Sequence, residues 1–411
     1  MGQLTHIDLF AGPGGFCTGF KAAGLKTLSA VEYIDSCAET YSANHPEVDV
    51  FVKDVRDVTN KELMGSISKR GFTSVDVISA GFPCETFSTA GYKSRVYDDH
   101  RNLLYKEAIR LADATNAKLL VLENVPAFVS KKISKDSETR VIDWLIEDLE
   151  NAGFIYHDHD ILNASDYGVP QNRERFILMA SKSIPIKKSF FNGNKSEAKV
   201  SVEEALSDLP LIGPNDESIS YASTPLTDYQ KEMRSVGRWV KGSNKRVRNL
   251  SYHITPKHRP GTIERFKLID QGEGLKDAFT KHNPKQIKSL QDKKILPNKW
   301  YIQRNQRLLS GGQSRTVTSH CLDEIVHPTL NRALSVREVA RLQSFPDWYD
   351  FKGGPLLCPH IYKTQDKYEQ IGDAVPPKLA KHIGMSIIRI LSDNSLISLS
   401  ENTECHLITT K

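Results

Sequence analysis

The chain has only six cysteines in 411 residues, Cys17, Cys37, Cys84, Cys321, Cys358 and Cys405. They are widely scattered, with no CxxC pair and no Cys/His group at metal-ligand spacing, which argues against a disulfide framework and against a zinc site. No metal is expected, and a reducing, cytoplasmic setting is. There is no unbroken apolar run of about 18 residues, the length that a membrane helix requires. The opening MGQLTHIDLFAGPGG lacks the basic, apolar and small-residue regions of an export signal. Neither membrane insertion nor export is expected, and internal repeats are absent.

What is present is enough apolar sequence for one large domain or two ordinary ones. A net charge of +5 hides an asymmetry. Residues 1–184 carry 20 Lys and Arg against 26 Asp and Glu, and the remainder carries 35 against 24. The second half therefore has the balance of a polyanion binder. Much of its excess lies in 234–267, where basic residues alternate with Trp239, Tyr252 and the histidines His253 and His258.

From residue 4 to about 181, short apolar runs (THIDLF, TLSAVEY, SVDVISAG, KLLVLENV, RFILMAS) alternate with helical patterns such as LLYKEAIRLADATN and VIDWLIEDLENAG. Unbroken apolar strands alternating with helices predict an α/β fold, with a mostly parallel sheet covered on both faces. Residues 185–330 are rich in Pro, Gly, Ser, Lys and Asn without a sustained period, and read as a second, irregular domain. Helical texture returns after 331 in SVREVARLQSF and PPKLAKHIGMSIIRILSD, so 331–393 is expected to return to the first domain (1–184), leaving 394–411 as a loose tail.

Three strand ends carry chemistry. DLFAGPGGF (8–16) runs from a strand through a glycine-rich turn into a helix, an arrangement that lets backbone approach a nucleotide. Glu32 ends the second strand run, placed to accept hydrogen bonds from ribose hydroxyls, and Asp54 ends the third. A nicotinamide dehydrogenase would share these features. What separates the two is GFPC (81–84), ENV (123–125) and QNRER (171–175) at neighbouring strand ends, where a thiol, a carboxylate and guanidinium groups can converge.

On these motifs, together with RALSVREVARLQSFPD (332–347) and GDAVPP (372–377), the sequence resembles the C5-cytosine DNA methyltransferases over nearly its whole length and in the same order. The resemblance implies a Rossmann-like, S-adenosylmethionine-dependent domain and a smaller target-recognition domain that binds double-stranded DNA. It implies that Cys84 adds to carbon 6 of a flipped-out cytosine, that Glu123 protonates N3, and that Arg173 and Arg175 supply cationic groups nearby. Cofactor contacts are implied for Phe10, Ala11, Pro13, Gly15, Glu32, Tyr33, Asp54, Val55, Pro83, Leu104, Asp373, Ala374 and Val375. Asp373 departs from the asparagine common in the family and would repel the carboxylate of S-adenosylmethionine if it pointed there. DNA contacts are implied for Ser88 and Thr316, and the basic region adds Arg246 and Arg248. The loop 85–102 is expected to close over the base. A monomeric modification enzyme with a separately encoded restriction endonuclease is the expectation. An RNA (transfer-RNA) methyltransferase of the same fold and a catalytically idle DNA-binding protein are the alternatives.

Overall fold

The computed structural model describes residues 2–83, 103–132, 137–191, 193, 195–196, 198–358 and 363–407. Its centre is a seven-stranded sheet of β1 (Thr5–Leu9), β2 (Lys26–Glu32), β3 (Asp49–Val52), β4 (Val77–Gly81), β5 (Leu119–Asn124), β6 (Tyr156–Asn163) and β7 (Glu174–Ser181). The order is β3-β2-β1-β4-β5-β7-β6. β1 to β5 are parallel, and β7 runs antiparallel to both of its neighbours. The reversed β7 brings the start of QNRER to the same sheet edge as the carboxyl ends of β1, β4 and β5. The chain winds outward from β1 to β3, then crosses to β4 on the other side of β1. That reversal of direction is where ligands bind in open α/β sheets.

Period-two alternation sorts each strand between two apolar layers. Leu120 and Leu122 of β5, with Phe176, Leu178 and Ala180 of β7, face a layer built with α3 (Asn60–Ser68), α4 (Tyr105–Ala114) and α6 (Val141–Asn151). Leu119, Val121, Ile177 and Met179 face the opposite layer, formed by α1 (Gly15–Ala23) and the last helix, α15 (Pro377–Leu407). Helices α2 (Asp35–Asn44) and α5 (Ala127–Ser130) complete this part. Burial on both faces explains why the strands read as unbroken apolar runs.

Among the described residues the second unit has the short α-helices α7 (Val202–Leu206), α8 (Asp228–Met233), α9 (Pro260–Lys267), α10 (Leu275–Thr280), α11 (Pro284–Asp292) and α12 (Cys321–Glu324). A two-stranded pairing of β8 (Gln306–Arg307) with β9 (Ile325–Val326) joins them. Its core continues into the return segment: Val202, Met233, Trp239, Leu308 and Ile325 pack in one cluster with Val336, Leu342, Phe345, Tyr349 and Ile371. Those residues bring in α13 (Val336–Leu342) and α14 (Lys367–Asp373). A satellite cluster of Ile269, Leu275, Ala278 and Leu296 holds α9 to α11.

The tail expected to be loose after 393 is helical as far as Leu407. No proline follows Pro377 to break the helix. Among the described residues no helix is long and apolar enough to cross a membrane.

The contact of α1 with α15 depends on Gly19. A Cβ there would lie 2.4 Å from the Pro377 carbonyl oxygen and 2.5 Å from the Ala380 Cβ. In an open helix Gly→Ala stabilises by up to about 1 kcal/mol. At Gly19 overpacking reverses the sign, so Gly19→Ala should destabilise by about 1–3 kcal/mol. Gly65→Ala in α3, where an added Cβ meets nothing within 4 Å, is the matched control and should raise the thermal midpoint. A Gly19→Ala protein that melts no earlier than wild type would refute the tight crossing.

Candidate active site

The turn after β1 is wound unusually tightly. Phe10, Gly12 and Gly14 all have positive φ, at 54°, 55° and 98°. For a bulky residue such as Phe10 this is a strained conformation, of the kind held at functional sites. Among the described residues nothing lies within 4 Å of where a Gly12 Cβ would stand. Glu32 holds the turn from the neighbouring strand: its Oε2 accepts from the Gly12 amide and its Oε1 from the Ile34 amide, both at 2.6 Å. Each carboxylate oxygen keeps a lone pair beyond those bonds. An open glycine face beside a buried diol acceptor fits a nucleoside, and hence the adenosyl part of S-adenosylmethionine. Burial pushes Glu32 up to about 7, with a smaller contribution from Asp373.

The other cofactor candidates gather around this edge. Ala11, Pro13, Gly15, Val55, Leu104, Ala374 and Val375 are buried, and Pro83 is exposed at the end of the described β4 segment. Gly15 fits against the last motif, since a Cβ there would lie 2.1 Å from the Val375 carbonyl oxygen. Tyr33 is half-buried beneath the Lys363 ammonium, 4.9 Å from its ring centroid. Asp54 caps the short turn Val55–Asp57 and pairs with Arg56 at 2.6 Å, which holds its carboxyl below the usual range. Asp373 accepts from Gln365 Nε2 at 2.9 Å. Asp373 is exposed at the surface, so solvent offsets the upward push on its carboxyl from crowding protein and from Glu369.

Sequence reasoning missed a clamp under this turn. Tyr349, from the return segment, donates its hydroxyl to the Pro13 carbonyl. The same hydroxyl is 3.4 Å from His45 Nε2, which also lies 3.2 Å from the Thr18 hydroxyl. Burial keeps His45 well below its ordinary pKa, so the clamp is uncharged. A Cβ on Gly14 would come within 2.7 Å of the Tyr349 oxygen.

At the next strand ends, Gly81 of β4 pairs with Glu123 of β5. The absent side chain of Gly81 leaves room for the Glu123 carboxylate, whose Oε2 lies 3.2 Å from the Cβ position. Glu123 Oε1 meets Arg175 Nε at 3.0 Å, with both side chains nearly buried. Burial raises the Glu123 pKa, and the charges of Arg175 and Arg173 oppose that rise. Asn124 ties the two strand exits, donating to the Phe82 carbonyl at 3.3 Å and accepting from the Val125 amide at 2.8 Å. Cys84, Ser88 and the loop 85–102 lie outside the described residues, and Cys84 follows Pro83 directly.

Arg173 is 2% exposed, and its guanidinium donates to the carbonyls of Val317, Gly372 and Ala374 at 2.5, 2.9 and 3.1 Å. It brackets three distant segments while its charge still acts on Glu123. Gln171, to which the sequence reading gave no role, does the same work: it donates to Gln343 at 2.7 Å and accepts from the Val317 amide at 2.8 Å. Thr316 donates to the Asn172 carbonyl at 2.8 Å. Arg246 and Arg248 are exposed on the second unit.

The profile of the family described as C-5 cytosine-specific DNA methylase matches residues 4–389. The Type II methyltransferase M.DdeI of Desulfomicrobium norvegicum is 34% identical over 96% of this chain and 91% of its own length. The Type II methyltransferase M1.HphI of Haemophilus parahaemolyticus is 30% identical over 94% and 87%. Among solved structures, a DNA modification methyltransferase encoded within a prophage of E. coli superposes with a TM-score of 0.70 at 24% identity, covering 95% of this chain and all of the other. At that identity the likeness shows the fold alone.

The raised pKa of Glu32 predicts a pH dependence of stability. Folding lifts this carboxyl from 4.5 to about 7, so the folded chain binds the proton more tightly than the unfolded chain. Its contribution is therefore most favourable below pH 4.5 and is lost as pH rises through 7. Glu32→Gln should flatten the fall in thermal midpoint between pH 5 and 7.5, measured without ligand. Identical slopes in the two proteins would contradict the burial of this carboxyl.

Proposed function

The chain belongs to the C-5 cytosine-specific DNA methylase family, and on that premise we propose the work done by each of its candidate residues. It is an S-adenosylmethionine-dependent DNA (cytosine-5-)methyltransferase, and its Type II relatives support a modification role in a restriction-modification system. When bound, S-adenosylmethionine supplies an electrophilic methyl group. Glu32 would hold its ribose, the turn from Phe10 to Gly15 its nucleoside face, and Ala374 and Val375 its other end.

Carbon 5 of cytosine is a poor nucleophile, because reaction there disrupts an aromatic ring. The Cys84 sulfur adds at carbon 6 and turns carbon 5 into an enamine carbon that accepts the methyl group. Negative charge builds on N3 and O2 as the sulfur attacks. Glu123 donates a proton to N3, and its burial favours the protonated form that this requires. Arg175 orients that carboxylate from 3.0 Å and places positive charge beside it. Loss of the carbon 5 proton to a solvent base with expulsion of sulfur as the thiolate, and return of the N3 proton to Glu123, restores the aromatic ring and the enzyme. The Glu123 carboxylate carries this reading, because it is buried against Arg175 one strand away from the segment that leads into Cys84.

A base within a duplex hides carbon 6, so the nucleotide is flipped out at a cost of a few kcal/mol. The unit 185–330 is proposed to read double-stranded DNA and offset that cost, with Arg246, Arg248 and Thr316 at or near the duplex and Ser88 in the loop that covers the base. A monomeric, cytoplasmic enzyme and a separately encoded endonuclease complete the proposal.

Duplex DNA carrying 5-fluorocytosine at the target should trap the enzyme. Methyl transfer can proceed, but fluorine cannot leave as a cation, so sulfur stays bonded to the base. With S-adenosylmethionine present, a complex that survives denaturation should map to the peptide of Cys84. Cys84→Ser should give none, since a hydroxyl is far less ionised than a thiol near neutral pH. Glu123→Gln should lower kcat by about 100-fold or more while leaving S-adenosylmethionine affinity unchanged. An adduct on another cysteine, or methylation of transfer RNA but not of duplex DNA, would refute the assignment.

A further inference from the structure

Residues 298–304 (NKWYIQR) are exposed without interruption. Three large apolar side chains stand together there, Trp300 at 42%, Tyr301 at 60% and Ile302 at 64% exposed, with Leu309 at 53%. Scattered exposed apolar residues are ordinary, but a contiguous group marks an interaction surface.

The backbone beneath them is well fixed. The Arg304 amide closes a turn onto the Tyr301 carbonyl at 3.0 Å, and Gln306 Nε2 donates to the Ile302 carbonyl at 2.7 Å. Arg315 Nη1 donates to the Gln303 carbonyl at 3.0 Å. Asn305 is anchored through its amide and its side chain to the Asp323 carbonyl at 3.0 and 2.8 Å. The apolar side chains thus project from a turn whose entropy of ordering is already lost.

Charge identifies the partner. Residues 276–315 carry ten Lys and Arg against two Asp, and eight of the ten are exposed, Arg307 being buried. Lys276 and Arg304 sit over the rings of Trp300 and Tyr301, each 5.9 Å from the centroid. A second copy of this chain would bring the same positive surroundings against its own, which disfavours a symmetric dimer through this turn. A polyanion with apolar flat faces suits it, and nucleic acid has both. The position agrees: Arg315 holds the turn, its neighbour Thr316 is bonded to Asn172, and Asn172 is three residues from Arg175 at the Glu123 carboxylate.

We propose that the Trp300–Tyr301–Ile302 turn is a rigid apolar wedge that meets exposed base surfaces of duplex DNA next to the flipped cytosine. The proposal rests on the reading of this chain as a DNA methyltransferase. The flanking cations meet phosphates while the three side chains meet the bases, supporting the opened step that flipping leaves behind.

The test compares wild type with Trp300→Ala/Ile302→Ala, both as full chains, on a duplex bearing the site mapped by bisulfite sequencing of DNA methylated by the wild type. Duplex affinity should fall by about tenfold or more. The slope of log affinity against log salt should stay the same, because no phosphate contact is lost. S-adenosylmethionine affinity and thermal midpoint should also be unchanged, since the replaced side chains are exposed. Equal duplex affinities for two proteins that both methylate DNA would overturn the wedge alone. So would a wild-type dimer, seen by sedimentation, that the double variant loses. A wild type that methylates no DNA would overturn the enzymatic reading, and the wedge with it.

Discussion

The carbonyl groups of residues 371–375 are the seam on which the rest of the molecule depends. Arg173 donates to those of Gly372 and Ala374, and Gln343 to those of Ile371 and Ala374. The Val375 carbonyl presses into the space left by the missing side chain of Gly15. Through these few atoms the strand end before Arg175, the buried return helix, the first glycine-rich turn and the last helix are held together, although up to 360 residues separate them. Removing one partner would leave buried carbonyls without a donor, which costs more than the bond itself contributes. The cofactor edge and the base edge of the site therefore stand in a fixed relation before any ligand arrives.

Alternation and strand ends made the catalytic half legible. Because β1, β2, β4 and β5 are parallel and buried on both faces, their strand runs are read easily, and Glu32, Glu123 and the chain leading to Cys84 fall at one edge by topology alone. Arg173 was less legible. A guanidinium aimed at a base and one tied to backbone carbonyls are the same letter, and only the packing of 317 and 372–374 around it separates them. Tyr349 and His45 escaped notice for a similar reason, since the clamp joins residues 336 positions apart. The exposed turn 298–304 was invisible because nothing in its spelling distinguishes a solvent-facing Trp-Tyr-Ile from a buried one.

The cofactor edge is acidic beyond the diol acceptor. Burial lifts the Glu32 pKa with a smaller push from the Asp373 charge, and the Asp373 pKa is raised by crowding protein, with a contribution from Glu369 against the lowering charge of Arg173. Asp373, where the family commonly has asparagine, is held sideways by Gln365. That contact engages one oxygen of the carboxylate.

Net charge alone overstates the surface that meets DNA. In the second half, Arg307, Arg332, Arg337 and Arg341 are at most 6% exposed. Arg307 satisfies the carbonyls of Phe266, Ile269, His327 and Leu330. Arg332 forms a two-pronged pair with Glu338, and Arg341 is shared between Asp208 and Asp347. Irregular backbone leaves many carbonyls unpaired, and a planar group with five donors can collect several of them from different directions. Lysine, a single point of charge, does this poorly. The arginines are thus the internal framework that lets a unit with little regular structure stay rigid, and exposed lysines such as those of 276–299 carry the charge that reaches outward. A wedge needs both: a base that does not yield when pressed into a duplex, and cations around it that hold the phosphates in place.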